Sequence, residues 1–398
     1  MTTTLNAPVE VQGLDSLVQD RFATVRQSSL ERLLQLPYPT HRDEVWRRTD
    51  PDRVKPENAS VVKPTSKFGY LNMQATPAGI EFGALDQFQA PLFSIQPQAK
   101  ANLFAALNGA VFQGGTYLKA GKDVTTGEGA LLVEHHYAGN GLAAPRSYLE
   151  VAAGSSVTLV EVFSAEEGDL LATPTVEVHV HAGAKFRYVL VNLWNDQARV
   201  VPNIHAKVEK DGHFQMFFAG FGTRLTKAFV ESDLVGEGAK SEVLGVVLAQ
   251  GRQHYDMDAQ QNHRVGNTVS DVLCHVALTD RARSVFAGNI LCEPGAQKID
   301  GYQQNRNLLL SDQARADSMP RLEIEANDVR CTHGASFATY DGDQRFYLQS
   351  RGMTAFEAER LLVTGFFAEV INRLEHEAVG EWLATRLENK MARALGRS

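Results

Sequence analysis

Cysteine is scarce in this sequence. Cys274, Cys292 and Cys331 are the only three among 398 residues, and they form no Cys-x-x-Cys pair. An odd, sparse count excludes a disulfide framework and fits a reducing cytoplasm. Long apolar runs are missing as well: stretches such as Val243 to Ala249 suit strands and fall well short of a membrane span. The opening MTTTLNAPVEVQG has neither a basic start nor an apolar core, so no secretory signal is expected. Positive charge is not in excess. With 39 Lys+Arg against 47 Asp+Glu the net charge is −8, which argues against non-specific binding to nucleic acid or an anionic membrane. There is no GxxxxGK[ST] phosphate loop, and no GxGxxG, GxSxG or HExxH. The chain is therefore expected to bind no nucleotide.

What is present reads as a soluble globular chain, 43% hydrophobic and 22% charged, in three parts. Residues 1–128 are helical and mixed. Leu17, Phe22, Val25, Leu30, Leu33 and Leu34 predict a helix between Asp15 and Leu36, stopped by Pro37 and Pro39. Trp46 is an apolar anchor among charges. A helix is expected over Lys100–Asn108, and strands at Ile80–Phe82 and Phe93–Ile95.

Residues 129–350 carry a weak repeat. A small turn residue followed by an alternating apolar run recurs at Gly129, Gly154, Gly183, Gly212, Gly238, Gly266, Gly295 and Asn327, at intervals of 25 to 32 residues. Alternations such as Val157/Leu159, Phe186/Tyr188 and Phe214/Met216/Phe218 make the units strands, about two per period. A fixed period of this size predicts a solenoid, here a mainly β fold in which coils stack around an apolar core. The competing architecture is a β-sandwich of evenly spaced hairpins, although Asn-Gly and Asp-Gly hairpin turns are scarce.

Residues 351–398 are helical. Thr354 and Glu357 form a capping-box pattern, and Leu361, Leu362, Phe366, Val370, Ile371 and Leu374 make an apolar stripe. A second amphipathic helix is expected over Glu377–Leu395. These helices either cover the solenoid's end or dock a partner. Ending the chain after about Arg351 is expected to leave the coil folded.

Cys331 and His333 lie two apart on an extended run, hence on one strand face. A thiolate and an imidazole can hold iron or a sulfur-bridged cluster, but two ligands need others, from elsewhere or from another chain. The alternative is a buried Cys and a hydrogen-bonded His. His254, Asp256, Asp258, His263, Cys274 and His275 are scattered ligand types without a zinc spacing. His179/His181 and His135/His136 offer two ligands each, too few for a site.

The run CTHGASFATYDGDQRFYLQSRGMTAFEAERLLVTGFFAEVIN resembles the C-terminal signature of the SufD branch of the SufB/SufD iron–sulfur cluster assembly family. Upstream, SVFAGNILCEPGAQKIDGYQQNRNLLLSDQARADSMPRLEIEANDVRC and PTHRDEVWRRTD are similar to it as well. Where SufB chains typically carry Glu-His-Glu-Ala, this sequence has Cys331-Thr332-His333-Gly334-Ala335. The resemblance implies a right-handed parallel β-helix between N- and C-terminal helical regions. It implies a non-catalytic scaffold that pairs with a SufB-like paralogue and binds a SufC-like ABC-type ATPase through the C-terminal helices, around Leu362, Phe366 and Val370. It also implies a transient iron–sulfur cluster shared with the paralogue, with His333 at the interface beside a partner cysteine. Alternatives are a SufB-like homodimer, or a β-helix enzyme acting on polysaccharide.

Overall fold

The computed structural model describes residues 8–14, 20–92, 102–339 and 342–395. The strand expected at Phe93–Ile95, together with Leu17 and Lys100, lies outside the described residues. The described part of the first predicted helix is α1 (Ala23–Gln35), which ends at an extended Leu36 before Pro37. The second is α2 (Leu103–Val111). It starts later than the apolar pattern suggests because the Asn102 side chain caps the Phe104 N–H.

From Ala130 to Thr339 the chain is a parallel β-solenoid. One sheet stacks, rung on rung, Ala130–Tyr137, Ser156–Ala165, Lys185–Leu193, His213–Gly220, Lys240–Ala249, Val269–Leu278, Ile299–Leu309 and Val329–Thr339. The other stacks Arg146–Val151, Thr175–Val180, Asn203–Val208, Leu225–Leu234, His254–His263, Arg283–Cys292 and Arg315–Ile324. Early coils have a third short side, Leu170–Ala172 and Arg199–Val200, which merges into the start of Leu225–Leu234. The hairpin sandwich is thereby excluded. Among the described residues the antiparallel pairs lie at the N-terminal end, where Thr65–Leu71 pairs with Ala130–Tyr137 and Ile80–Ala84 with Thr116–Ala120.

The period comes from the turns. Gly154 and Gly238 adopt φ of +75° and +77°, where a side chain is strained. A Cβ at Gly238 would also meet the Asp211 Oδ1 of the preceding coil at 2.0 Å. Between turns, Val157, Leu159, Phe186, Tyr188, Phe214, Met216 and Phe218 point inward and are buried. Register puts Phe186 between Val157 and Phe214, and Tyr188 between Leu159 and Met216.

The outward residues of the first sheet are apolar and buried too. Val160, Val162, Val189, Val191, Phe217, Leu244 and Val246 are covered by α4 (Ala355–Asn372) and α5 (Glu377–Leu395). These helices lie along the flank of the coil. The expectation that they cover its end is corrected, and the reason is in the strands. Runs such as VTLVEVF and MFFAG are apolar on both faces, as in sheets covered on both sides. A chain ended after Arg351 would leave this apolar face uncovered. The Thr354–Glu357 capping box forms. Arg373, at the end of α4, bonds Glu242 (3.1 Å) and Asp271 (2.7 Å) on the sheet. Burial of Glu242 raises its pKa, but the His213 hydrogen bond and the Lys240 charge outweigh this and hold it at about 2. On the opposite face, the N-terminal region packs Trp46 between Phe104 and Phe229, with ring centroids 5.6 and 6.0 Å away. Among the described residues no helix is long and apolar enough to cross a membrane.

Phe214→Ala removes a ring from the middle of the inward stack. It is expected to lower unfolding free energy by about 3–5 kcal/mol, read from urea denaturation with an unchanged m-value. Glu242 titrates lower when folded than its ordinary 4.5. Its stabilisation is therefore full above that value and is lost as pH falls towards about 2. Glu242→Gln should flatten the acid loss of stability between those limits, checked by urea midpoints at two pH values inside the window.

Candidate functional site

Among the described residues, the stack ends at two strands without a further coil. Val329–Thr339 is bonded to Ile299–Leu309 alone, and Arg315–Ile324 to Arg283–Cys292 alone. Each presents a long row of free backbone N–H and C=O groups. This open rung carries the Cys331–His333 pair.

Register sets Cys331 beside Gly301 and His333 beside Gln303. Cys331 is half-buried and packs with Ile290, Cys292 and Ile299 at the end of the core. Its Sγ lies 3.8 Å from that of Cys292. Gly301 makes the room, since a Cβ there would meet Cys331 Sγ at 3.2 Å and Ile290 at 3.1 Å. A hydrogen bond from Cys292 holds the Cys331 thiol below its ordinary pKa against the effect of burial, helped by the Gly301 backbone N–H. Cys292, as donor of that bond, is driven far up. His333 is exposed on the edge strand. The arrangement offers a thiolate-prone sulfur, a second thiol behind it and an accessible imidazole, all on an edge that a second strand can extend.

Beneath this rung the interior changes character. Ile299–Leu309 turns Gln303, Asn305 and Asn307 inward, all buried. Asn307 donates to Asn305 (2.7 Å), and Gln303 to the Arg321 carbonyl (3.0 Å). Gln303 Oε1 and Asn307 Oδ1 have no partner. The sequence reading missed these amides. Their signal is the spacing of two from Gly301, but Tyr302 and Arg306 between them are just as polar, so which face turned inward was not visible.

The candidates between His254 and His275, and the His135/His136 pair, are not gathered into a site. His254 is held by Thr49 (2.8 Å) and Asp256 by Lys227 (2.8 Å), under the N-terminal region. Burial and the Arg283 charge push His254 down to about 3. His263 bonds Thr268 and Ser270 inside the coil. Cys274, also inside, sits 3.7 Å from the Met257 sulfur and is pushed up to about 12 by burial. His275 faces out against Phe366, and Asp258 is buried near Arg321. His135 is buried against Glu161 and Thr116, while His136 is exposed.

Of the C-terminal stripe, Val370 is fully buried on the sheet. Phe366 is half-buried, stacked 4.5 Å from the His275 ring. Leu362 lines a cleft of about 420 Å³ with Leu361, Tyr347 and Leu348, the last two from α3 (Gly342–Ser350). Two exposed aromatics went unnoticed in the sequence: Phe346 on α3 at 73% and Phe337 on the edge strand at 51%.

A family model described as the SufBD core domain of SUF-system iron–sulfur cluster assembly matches residues 135–366. The chain is similar to the iron–sulfur cluster assembly SufBD family protein of Mycobacterium leprae, 32% identical over 231 residues, which cover 56% of this chain and 59% of that protein. It is also similar to the iron–sulfur cluster assembly protein SufD of Bacillus subtilis, 31% identical over 290 residues, 72% of this chain and 66% of that one. A SufBD family protein of Staphylococcus epidermidis is 26% identical over 292 residues, 73% of this chain and 63% of that one. The chain thus spans under two thirds of the length of these relatives.

The sulfur pair generates a reactivity order. Cys331 should be alkylated by iodoacetamide well before Cys292 or Cys274 in the native protein, because thiolate is the nucleophile. Peptide mapping by mass spectrometry checks this. Equal rates at all three would show that the Cys292 hydrogen bond does not bias Cys331.

Proposed function

The chain belongs to the SufBD family, and on that premise we propose that it is a non-catalytic scaffold subunit of iron–sulfur cluster assembly, working in the cytoplasm beside a SufB-like paralogue and a SufC-like ATPase. The observation that carries this is the open last rung, with Cys331 and His333 on an unpaired strand edge. An eleven-residue edge of this kind accepts a strand from a second β-solenoid through main-chain hydrogen bonds. The paralogue then supplies the thiolate that a Cys/His pair lacks. Iron and sulfide are the cargo, held transiently between the two chains. In isolation the same edge supports a homodimer.

ATP hydrolysis belongs to the partner, because this sequence has no phosphate loop. The exposed surface best suited to the ATPase is the cleft between α3 and α4, where Tyr347, Leu361 and Leu362 leave apolar area uncovered. Val370 supports docking only indirectly, by fixing α4 to the sheet.

His333→Ala should leave the fold and the complex yield unchanged, since the side chain is exposed. It should lower iron and acid-labile sulfide per complex, assayed on complexes purified from cells at matched yield. Unchanged cluster content would remove His333 from the mechanism. Tyr347→Asp with Leu361→Glu should keep the melting temperature and weaken capture of the SufC-like ATPase by about tenfold or more, roughly 1.4 kcal/mol. Undiminished capture would place the docking surface elsewhere.

A further inference from the structure

A second group of ligand-type side chains lies on the outer face of the sheet opposite the open rung's strand. Three successive coils supply it. Glu150 is in register with His179, and Glu209 follows Val208, which is in register with Val180. Val178 and Val180 point into the core, so His179 and His181 point out. Adjacent strands are about 4.8 Å apart, so the two imidazoles have one carboxylate below them and one above. His179 Nε2 is 2.9 Å from Glu209 Oε1, and His181 Nδ1 is 3.3 Å from Glu209 Oε2. The other His181 nitrogen, Nε2, is 3.2 Å from Glu150 Oε1. The two rings stack with centroids 3.9 Å apart. One ligand atom each from His179, His181 and Glu209 lie within 4.8 Å of one another, and all three residues are half-buried.

Two carboxylates converge on His181, one at each ring nitrogen. A neutral imidazole has a single N–H, yet both nitrogens of His181 face carboxylates. Glu150 is itself anchored by the Tyr148 hydroxyl (3.0 Å) and by Lys119 (3.7 Å), which suits it to accept the His181 Nε2–H. With Nε2–H given to Glu150, Nδ1 faces the Glu209 carboxylate, a contact made favourable either by a proton on Nδ1 or by a metal cation held between the two atoms. We infer that His179 Nε2, His181 Nδ1 and Glu209 form a binding site for a divalent transition-metal ion, with Glu150 as the residue that orients His181. Two imidazoles and a carboxylate suit zinc, cobalt, nickel, copper or ferrous ions rather than magnesium or calcium. Ligand bonds of about 2.0–2.2 Å put tetrahedral donors roughly 3.3 Å apart, which small side-chain rotations reach from the present spacing. The solenoid holds the backbone of all three coils in place, so little order is lost on binding.

The test uses the untagged full-length chain, stripped of metal by a chelator and titrated with Co(II). One saturable equivalent with d–d absorption, displaced by Zn(II), is expected. His179→Ala, His181→Gln and Glu209→Gln should each weaken it strongly, and Glu150→Gln should weaken it by roughly tenfold. Cys331→Ser with His333→Ala should leave it unchanged, which separates it from the open rung. In the unmutated protein, Zn(II) should protect His179 and His181 from diethyl pyrocarbonate, mapped by mass spectrometry. No saturable Co(II) uptake, or uptake that survives the combined H179A/H181Q variant, would overturn the assignment. So would labelling of both histidines at the same rate with and without Zn(II).

Discussion

Backbone hydrogen bonding between coils is the constraint on which the rest depends. Each long strand takes its partners from the rung above and the rung below, in register along its whole length. A buried N–H or C=O left without a partner is costly, so a stack of this kind must be finished at each end. The N-terminal end is finished within the chain, where Thr65–Leu71 turns antiparallel against the first rung. Among the described residues nothing does the same for Val329–Thr339. The unmatched edge is thus a product of the architecture, and it carries the Cys331–His333 pair.

The lateral surfaces follow a different rule. Strands apolar on both faces need cover outside as well as a core inside. The N-terminal region covers one sheet through Trp46, Phe104 and Leu107, and α4 with α5 covers the other through Val363, Phe367, Val370 and Leu383. Flank cover leaves the end rung free. The side chains filling the interior also differ along its length, although a Glu161–His135 pair is buried in the first coils. Aromatic stacks such as Phe186 on Phe214 fill the early coils, while Gln303, Asn305 and Asn307 occupy the last ones.

Register also converts long sequence separations into short distances. Cys292 and Cys331 come to 3.8 Å because they sit at the corner where the last two coils close. His179 and Glu209 come to 2.9 Å because they lie one coil apart. His179 and Glu209 are one coil apart, Cys292 and Cys331 one coil and a corner apart, and nothing in the local sequence of either partner announces the other.

The sequence by itself determined the solenoid. The spacing of Gly154, Gly183 and Gly238, and the alternation between them, are local properties of turns and pleats, and the corners adopt the backbone angles those residues favour. The α5 span and the Thr354–Glu357 cap were legible for the same reason. So was the Cys331–His333 spacing, which any extended strand places on one face. Tertiary structure alone decided where α4 and α5 lie, that Val370 is packing while Tyr347 and Leu361 remain exposed, that Cys292 stands behind Cys331, and that Glu209 and Glu150 bracket His179 and His181. Periodicity specifies which residues share a face. It does not specify what covers that face, or which residue of the next coil arrives beside it, because both depend on turn lengths summed around a full coil.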